Sequence, residues 1–201
     1  DKENIAGNSD TDIKKLDELA KYPDWHIRRA VAGNTSTPLR VLQVLAKDSI
    51  QWVREAVAGN PHANESLFVI LAQDRDGFVR AAVALNQATP SDILEILAED
   101  EMTDFDYTCS KDRYLTLEAV ARNPNTPEEV ISFLASRRDE HVRASAASNQ
   151  NIPADILFKL RLDHSWLVRK KVAENPKTSM EVLDWLAQDR IQDVMGSVAL
   201  N

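Results

Sequence analysis

Two rows of opposite charge hold the residues in this chain whose types and spacing could do chemistry. Aspartates stand at Asp48, Asp74, Asp100, Asp163 and Asp189, and arginines at Arg28, Arg54, Arg80, Arg143 and Arg169. Where both are present in sequence, the aspartate precedes the arginine by six residues, as in Asp48 and Arg54 or Asp163 and Arg169. A planar guanidinium can give a carboxylate two parallel hydrogen bonds, so the rows predict a structural ladder. The functional alternative is an arginine row that holds phosphate or carboxylate ligands.

No catalytic, cofactor or metal constellation accompanies the rows. The sequence has no nucleophile motif, no paired-carboxylate site and, with five glycines in all, no glycine-rich phosphate loop. His26 and His141 occupy one repeat position but lie three or more units apart, and stacked helices sit about 8–10 Å from their neighbours, so the pair cannot share a metal. His62 and His164 read as solvated surface residues. The expectation is a non-enzyme without a cofactor.

What must position the two rows is a repeat. AVAGN at 30–34 returns at 56–60, followed by AVALN, AVARN, SAASN, KVAEN and SVALN, with IAGN at 5–8 as a first instance. The asparagines Asn8, Asn34, Asn60, Asn86, Asn123, Asn149, Asn175 and Asn201 are 26 residues apart at every step except one of 37. A fixed period of this size marks units that cannot bury an apolar face alone and stack to make a core. The whole chain, 1–201, reads as one array with repeats 9–34, 35–60, 61–86, 87–123, 124–149, 150–175 and 176–201.

Each unit predicts two helices. Apolar residues such as Leu67, Phe68 and Leu71 recur at helical spacing in a first helix of about ten residues. Thr37-Pro38, Thr89-Pro90 and Thr126-Pro127 suggest an N-cap threonine with proline at the first helical position, and Glu129 completes a capping box with Thr126. A second helix of about two turns follows, with asparagine, a glycine before it (Gly33, Gly59) and a proline after it as stop signals. The recurring alanine before its end, as at Ala32 and Ala58, suggests a packed turn with room only for a methyl group.

The recurring string Asp-x(4)-Val-Arg-x(2)-Val-Ala-x-Asn-Pro-x-Thr-Pro-x(2)-Leu-x(2)-Leu-Ala closely resembles the leucine-rich repeat variant family, a relative in style of HEAT-like repeats, over essentially the whole chain. The resemblance implies an all-α, right-handed α-solenoid of about seven two-helix repeats. It also implies a shorter second helix, 3₁₀-like or, because the unit here is slightly longer than the family's, more regular. Some members carry an iron–sulfur cluster on a cysteine-rich segment, which Cys109 alone could not ligate.

Composition narrows the partners. The net charge is −8, and no apolar run approaches the roughly 18 residues of a membrane span. One cysteine fits a reducing compartment, hence a cytoplasmic location. Outside the ladder, the second helices carry Arg29, Arg122, Lys170 and Lys171 against Glu55, Glu118, Glu174 and Asp193. These cancel, which leaves no basic stripe for a nucleic-acid backbone.

Aromatic side chains are the remaining signal. Trp25 and Trp166 share one repeat position, and Trp52 and Phe78 the next, at the start of the second helix. They either fill gaps under the inter-helix turn or form a partner-binding strip on the inner face with His26, Arg29, Glu55, Arg122, His141 and Lys170. Trp185, on the first helix, is expected to pack. The unit with 11 extra residues carries Phe105, Tyr107 and Tyr114, expected to protrude in a binding loop or to fold back on the stack. The expected function is a non-catalytic protein- or peptide-binding scaffold; a nucleic-acid module and a structural spacer are the alternatives. Val194, Val198 and Leu200, left uncovered at the last repeat, suggest end-to-end self-association and an array that continues in a longer chain.

Overall fold

Residues 1–99 and 115–201 are described by the computed structural model. Among them there are fifteen helices and no strand. They group into two compact units, Asp1–Leu97 and Ala98–Asn201.

In the N-terminal unit the first helices are α2 (Ile13–Leu19), α4 (Leu39–Leu45), α6 (Glu65–Leu71) and α8 (Ser91–Ala98). The second helices are α3 (Trp25–Gly33), α5 (Gln51–Ala58) and α7 (Gly77–Leu85), preceded by α1 (Lys2–Gly7), which takes the place of a second helix in the stack. In the C-terminal unit the second helices are α9 (Leu115–Arg122), α11 (Glu140–Ser148), α13 (Trp166–Glu174) and α15 (Gln192–Val198). The first helices there are α10 (Glu128–Leu134), α12 (Ala154–Leu160) and α14 (Met180–Leu186).

Within each unit the second helices stack directly on one another, α1 on α3 on α5 on α7 and α9 on α11 on α13 on α15. The first helices α2, α4 and α6 of the N-terminal unit, and α10, α12 and α14 of the C-terminal unit, each pack beside the second helix that follows them. The core lies between the two layers. Val31, Val57, Val83, Val120 and Val172 are fully buried beneath the second helices, and Leu16, Leu42, Leu67, Leu94 and Leu134 beneath the first. A layer built this way is held by nearest-neighbour contacts, as repeat stacking requires.

Several local expectations are overturned. The first helix is seven or eight residues, not about ten, and the second is α-helical and as long or longer, up to nine residues. In α4 and α10 the later start follows from the Thr-Pro pair. Pro38 is itself the N-cap, with φ −70° and an extended ψ of 149°, so the helix starts at Leu39. Thr37 turns its hydroxyl backwards and donates to the Val31 carbonyl at 2.6 Å, closing the end of the preceding helix. Thr89, Thr126 and Thr178 do the same to Val83, Val120 and Val172. Pro127 likewise caps α10 without a side-chain bond, so Thr126 and Glu129 form no capping box.

Nor do the glycines end helices in the left-handed conformation, because no residue among those described has a positive φ. Asparagine does the work, with its backbone extended, as in Asn34 at φ −72° and ψ 125°. At the C-terminal repeat, Val194 is fully buried against the stack rather than exposed, Val198 is half-buried, and only Leu200 stands in solvent. Trp185, expected to pack, is exposed, since the helix face it occupies points away from the second-helix layer.

Candidate functional site

Each charged row resolves into a set of junction bonds. Arg54 Nε donates to Asp74 Oδ2 at 2.6 Å and its second terminal nitrogen to Oδ1 at 2.9 Å, while the remaining nitrogen reaches the Asp48 carbonyl at 2.8 Å. Arg28 with Asp48, Arg143 with Asp163 and Arg169 with Asp189 repeat the fork. The carboxylate an arginine takes is thus the one 20 residues ahead, in the next repeat; the aspartate six residues behind offers only its backbone oxygen. Arg80 is buried and donates to the Asp74 carbonyl at 2.8 Å; Asp100 lies outside the described residues.

Each aspartate also accepts the N–H two residues on, such as Asp76 N on Asp74 at 2.9 Å. Burial pushes the Asp48, Asp74 and Asp163 carboxyls up, but the guanidinium and this N–H together outweigh it and hold them below the usual range. At Asp189 the Arg169 hydrogen bonds dominate, with the same net direction. Four guanidinium forks are therefore occupied by carboxylates inside the fold.

A second ladder runs through the asparagines that the sequence marks as stop signals. Asn60 Nδ2 donates to the Ala32 and Asn34 carbonyls of the preceding repeat at 2.7 and 3.0 Å, and its Oδ1 accepts the His62 N–H at 2.8 Å. Asn34, Asn86, Asn149, Asn175 and Asn201 make the same pair of bonds one repeat back. The alanine whose carbonyl accepts is fully buried at Ala6, Ala32, Ala58, Ala121, Ala147 and Ala173, consistent with the close approach of the amide. The signal lay in the array itself. A stop alone is served by glycine as well as asparagine, yet glycine never takes this position in eight copies.

The aromatic positions fall on the free edge of the second-helix layers. Trp52 is 46% exposed, Phe78 43% and Trp166 44%, so they do not fill gaps under the turn. Trp25 is half-buried, stacked on the exposed His26 ring at 3.7 Å and tilted against Trp52 at 4.9 Å. The His26 ring is held in turn by Asp24, 2.9 Å away. Beside these rings α3, α5 and α7 enclose a shallow depression of about 390 Å³ lined by Arg29, Glu55, Ala56, Gly59, Ala82 and Leu85. Burial pushes the Glu55 carboxyl up, against the pull of Arg29.

The N-terminal unit therefore brings together Trp25, His26, Arg29, Trp52, Glu55 and Phe78 on three adjacent helices. In the C-terminal unit, Arg122 is exposed and bonds to Glu118 and the Ser145 hydroxyl, His141 is exposed, and Lys170 lies between Glu174 and Asp193 at 3.9 and 4.0 Å. Phe105, Tyr107 and Tyr114 lie outside the described residues. No helix among the described residues is long and apolar enough to cross a membrane.

Paired short helices stacked at a 26-residue period define a helical-repeat protein. The Leucine rich repeat variant family matches residues 77–102, one repeat in length. A solved structure described as a leucine-rich repeat variant with a novel repetitive protein structural motif aligns at 28% identity and a TM-score of 0.62, over 94% of this chain and 70% of that one. Two engineered proteins align at 16% and 17% identity with TM-scores of 0.38 and 0.32, over 98% of this chain and 71% and 93% of theirs. No curated protein matches the chain. The chain is a helical-repeat protein similar to the leucine-rich repeat variant family, whose model matches one of its repeats.

Proposed function

We propose that this protein is a non-catalytic scaffold that binds a protein or peptide partner along the free edge of its second helices, with the Trp25–Trp52–Phe78 strip of the N-terminal unit as the anchor. The observation that carries the reading is the exposure of Trp52 and Phe78 on helices whose opposite faces are fully buried. Large rings held in solvent by a rigid stack cost little entropy to immobilise on binding, and Trp and Tyr dominate the energetics of interfaces. The depression beside them, with Arg29 and Glu55 in its wall, supplies one charge of each sign to orient a segment laid across α3, α5 and α7.

Arg122, His141, Trp166 and Lys170 continue the same edge positions in the C-terminal unit, and Phe105, Tyr107 and Tyr114 of the inserted segment are proposed as additional contacts. The occupied forks of Arg28, Arg54, Arg143 and Arg169 speak against an arginine row kept for phosphates. The test is retention of a partner on the immobilised protein, identified by mass spectrometry and repeated with Trp52→Ala and Phe78→Ala. Loss with both variants supports the strip; retention unchanged by both removes it.

A further inference from the structure

The first helices of the N-terminal unit leave another apolar surface uncovered, away from the second-helix layer. Val44, Ile70 and Ile96 hold one position of α4, α6 and α8, 26 residues apart, and are 63%, 50% and 54% exposed. Their neighbours on the same helices, Leu42, Leu71 and Leu97, are buried, so the helix period aims the three outwards as a ridge. Stacked helices lie roughly 10 Å apart, which makes the ridge a continuous apolar band across three repeats.

Charge along the band changes sign in order. Arg40 and Lys47 flank Val44 on α4 and the turn after it, Ser66 and Gln73 take the same two positions around Ile70, and Asp92 and Glu95 precede Ile96 on α8. All six are exposed. Arg40 pairs with the half-buried Asp17, but its own guanidinium is largely in solvent, where such a pair contributes little.

A surface that is positive at one end, neutral in the middle and negative at the other is complementary to itself after a half-turn. The geometry points to a two-fold self-association interface on this face, with a second copy of this chain as the occupant. A two-fold axis through Ile70 and parallel to α6 lays α4 on the partner copy's α8, Val44 against Ile96 and the basic end against the acidic one, twice. The unflipped alignment would set like charges together, so the charge order selects the register as well as the partner. A foreign partner would have to supply both ends of the gradient, which a second copy supplies by symmetry. Three short helix faces bury less than the roughly 800 Å² per partner of a standard interface, so the dimer is weak, and it depends on salt and concentration.

Sedimentation velocity of the full chain, from micromolar to millimolar concentration, tests the proposal. The expected result is a shift from monomer towards dimer that is lost in Ile70→Asp. Arg40→Glu with Lys47→Glu should abolish self-association, as should Asp92→Lys with Glu95→Lys, because each variant presents like charges at both ends. Mixing the two variants should restore a dimer containing one copy of each, whereas Leu200→Asp should change nothing. A chain that stays monomeric throughout overturns the proposal. So does a dimer that survives Ile70→Asp, or a mixture of the folded charge variants that does not associate.

Discussion

Arg54 and Asp74 are 20 residues apart in sequence and joined by two parallel hydrogen bonds of 2.6 and 2.9 Å, with side chains only 8% and 9% exposed. The same guanidinium holds the Asp48 carbonyl at 2.8 Å, so one side chain fastens the turn of its own repeat to the carboxylate of the next. Asp74→Ala leaves the Arg54 guanidinium as a buried, uncompensated charge. It should lower the unfolding free energy by about 2–4 kcal/mol in urea titration. Asp155→Ala, which removes an exposed pair with Lys159, should leave the urea midpoint essentially unchanged.

Acid should act through the same row. Asp48, Asp74, Asp163 and Asp189 are held below the ordinary carboxylate range in the folded chain. A depressed folded value means that the stabilisation is fully present above the unfolded value, near pH 4, and is lost as pH falls through the depressed ones. The urea midpoint should therefore stay flat from neutrality to about pH 5 and drop steadily below about pH 4. Asp189→Asn should shallow that drop by removing one member of the row.

The amide ladder predicts a sharper loss. Asn60 is buried and donates to two carbonyls of the preceding repeat, both of which would be left without that donor in Asn60→Ala. The expected cost is about 2–4 kcal/mol. Asn60→Asp, nearly identical in shape, should be worse because it aims a carboxylate oxygen at the same two carbonyls. Thermal melting of the two variants side by side checks the order.

The aromatic strip predicts the opposite signature. Trp52→Ala should reduce affinity for a retained partner by about tenfold or more, as for a central interface anchor. Because its ring is half in solvent, the melting temperature should move little, and a large fall in melting temperature would assign the ring to packing with Trp25.

The period, the helical content and the identity of the two charged rows were set by the sequence, because each is a local pattern: helical spacing of apolar residues and one residue type at one place in every repeat. What tertiary structure alone decided is who meets whom. Arg54 takes Asp74 and not Asp48 because stacking carries the next repeat's carboxylate to the fork, while the nearer aspartate's carboxylate is already taken by Arg28 of the preceding repeat and by the Ile50 N–H. Thr37 faces backwards to Val31, and Asn60 reaches Ala32, for the same reason. Exposure was equally illegible in advance: Val44 and Leu45 are adjacent and equally apolar, and only the position of the second-helix layer puts one in water and the other in the core.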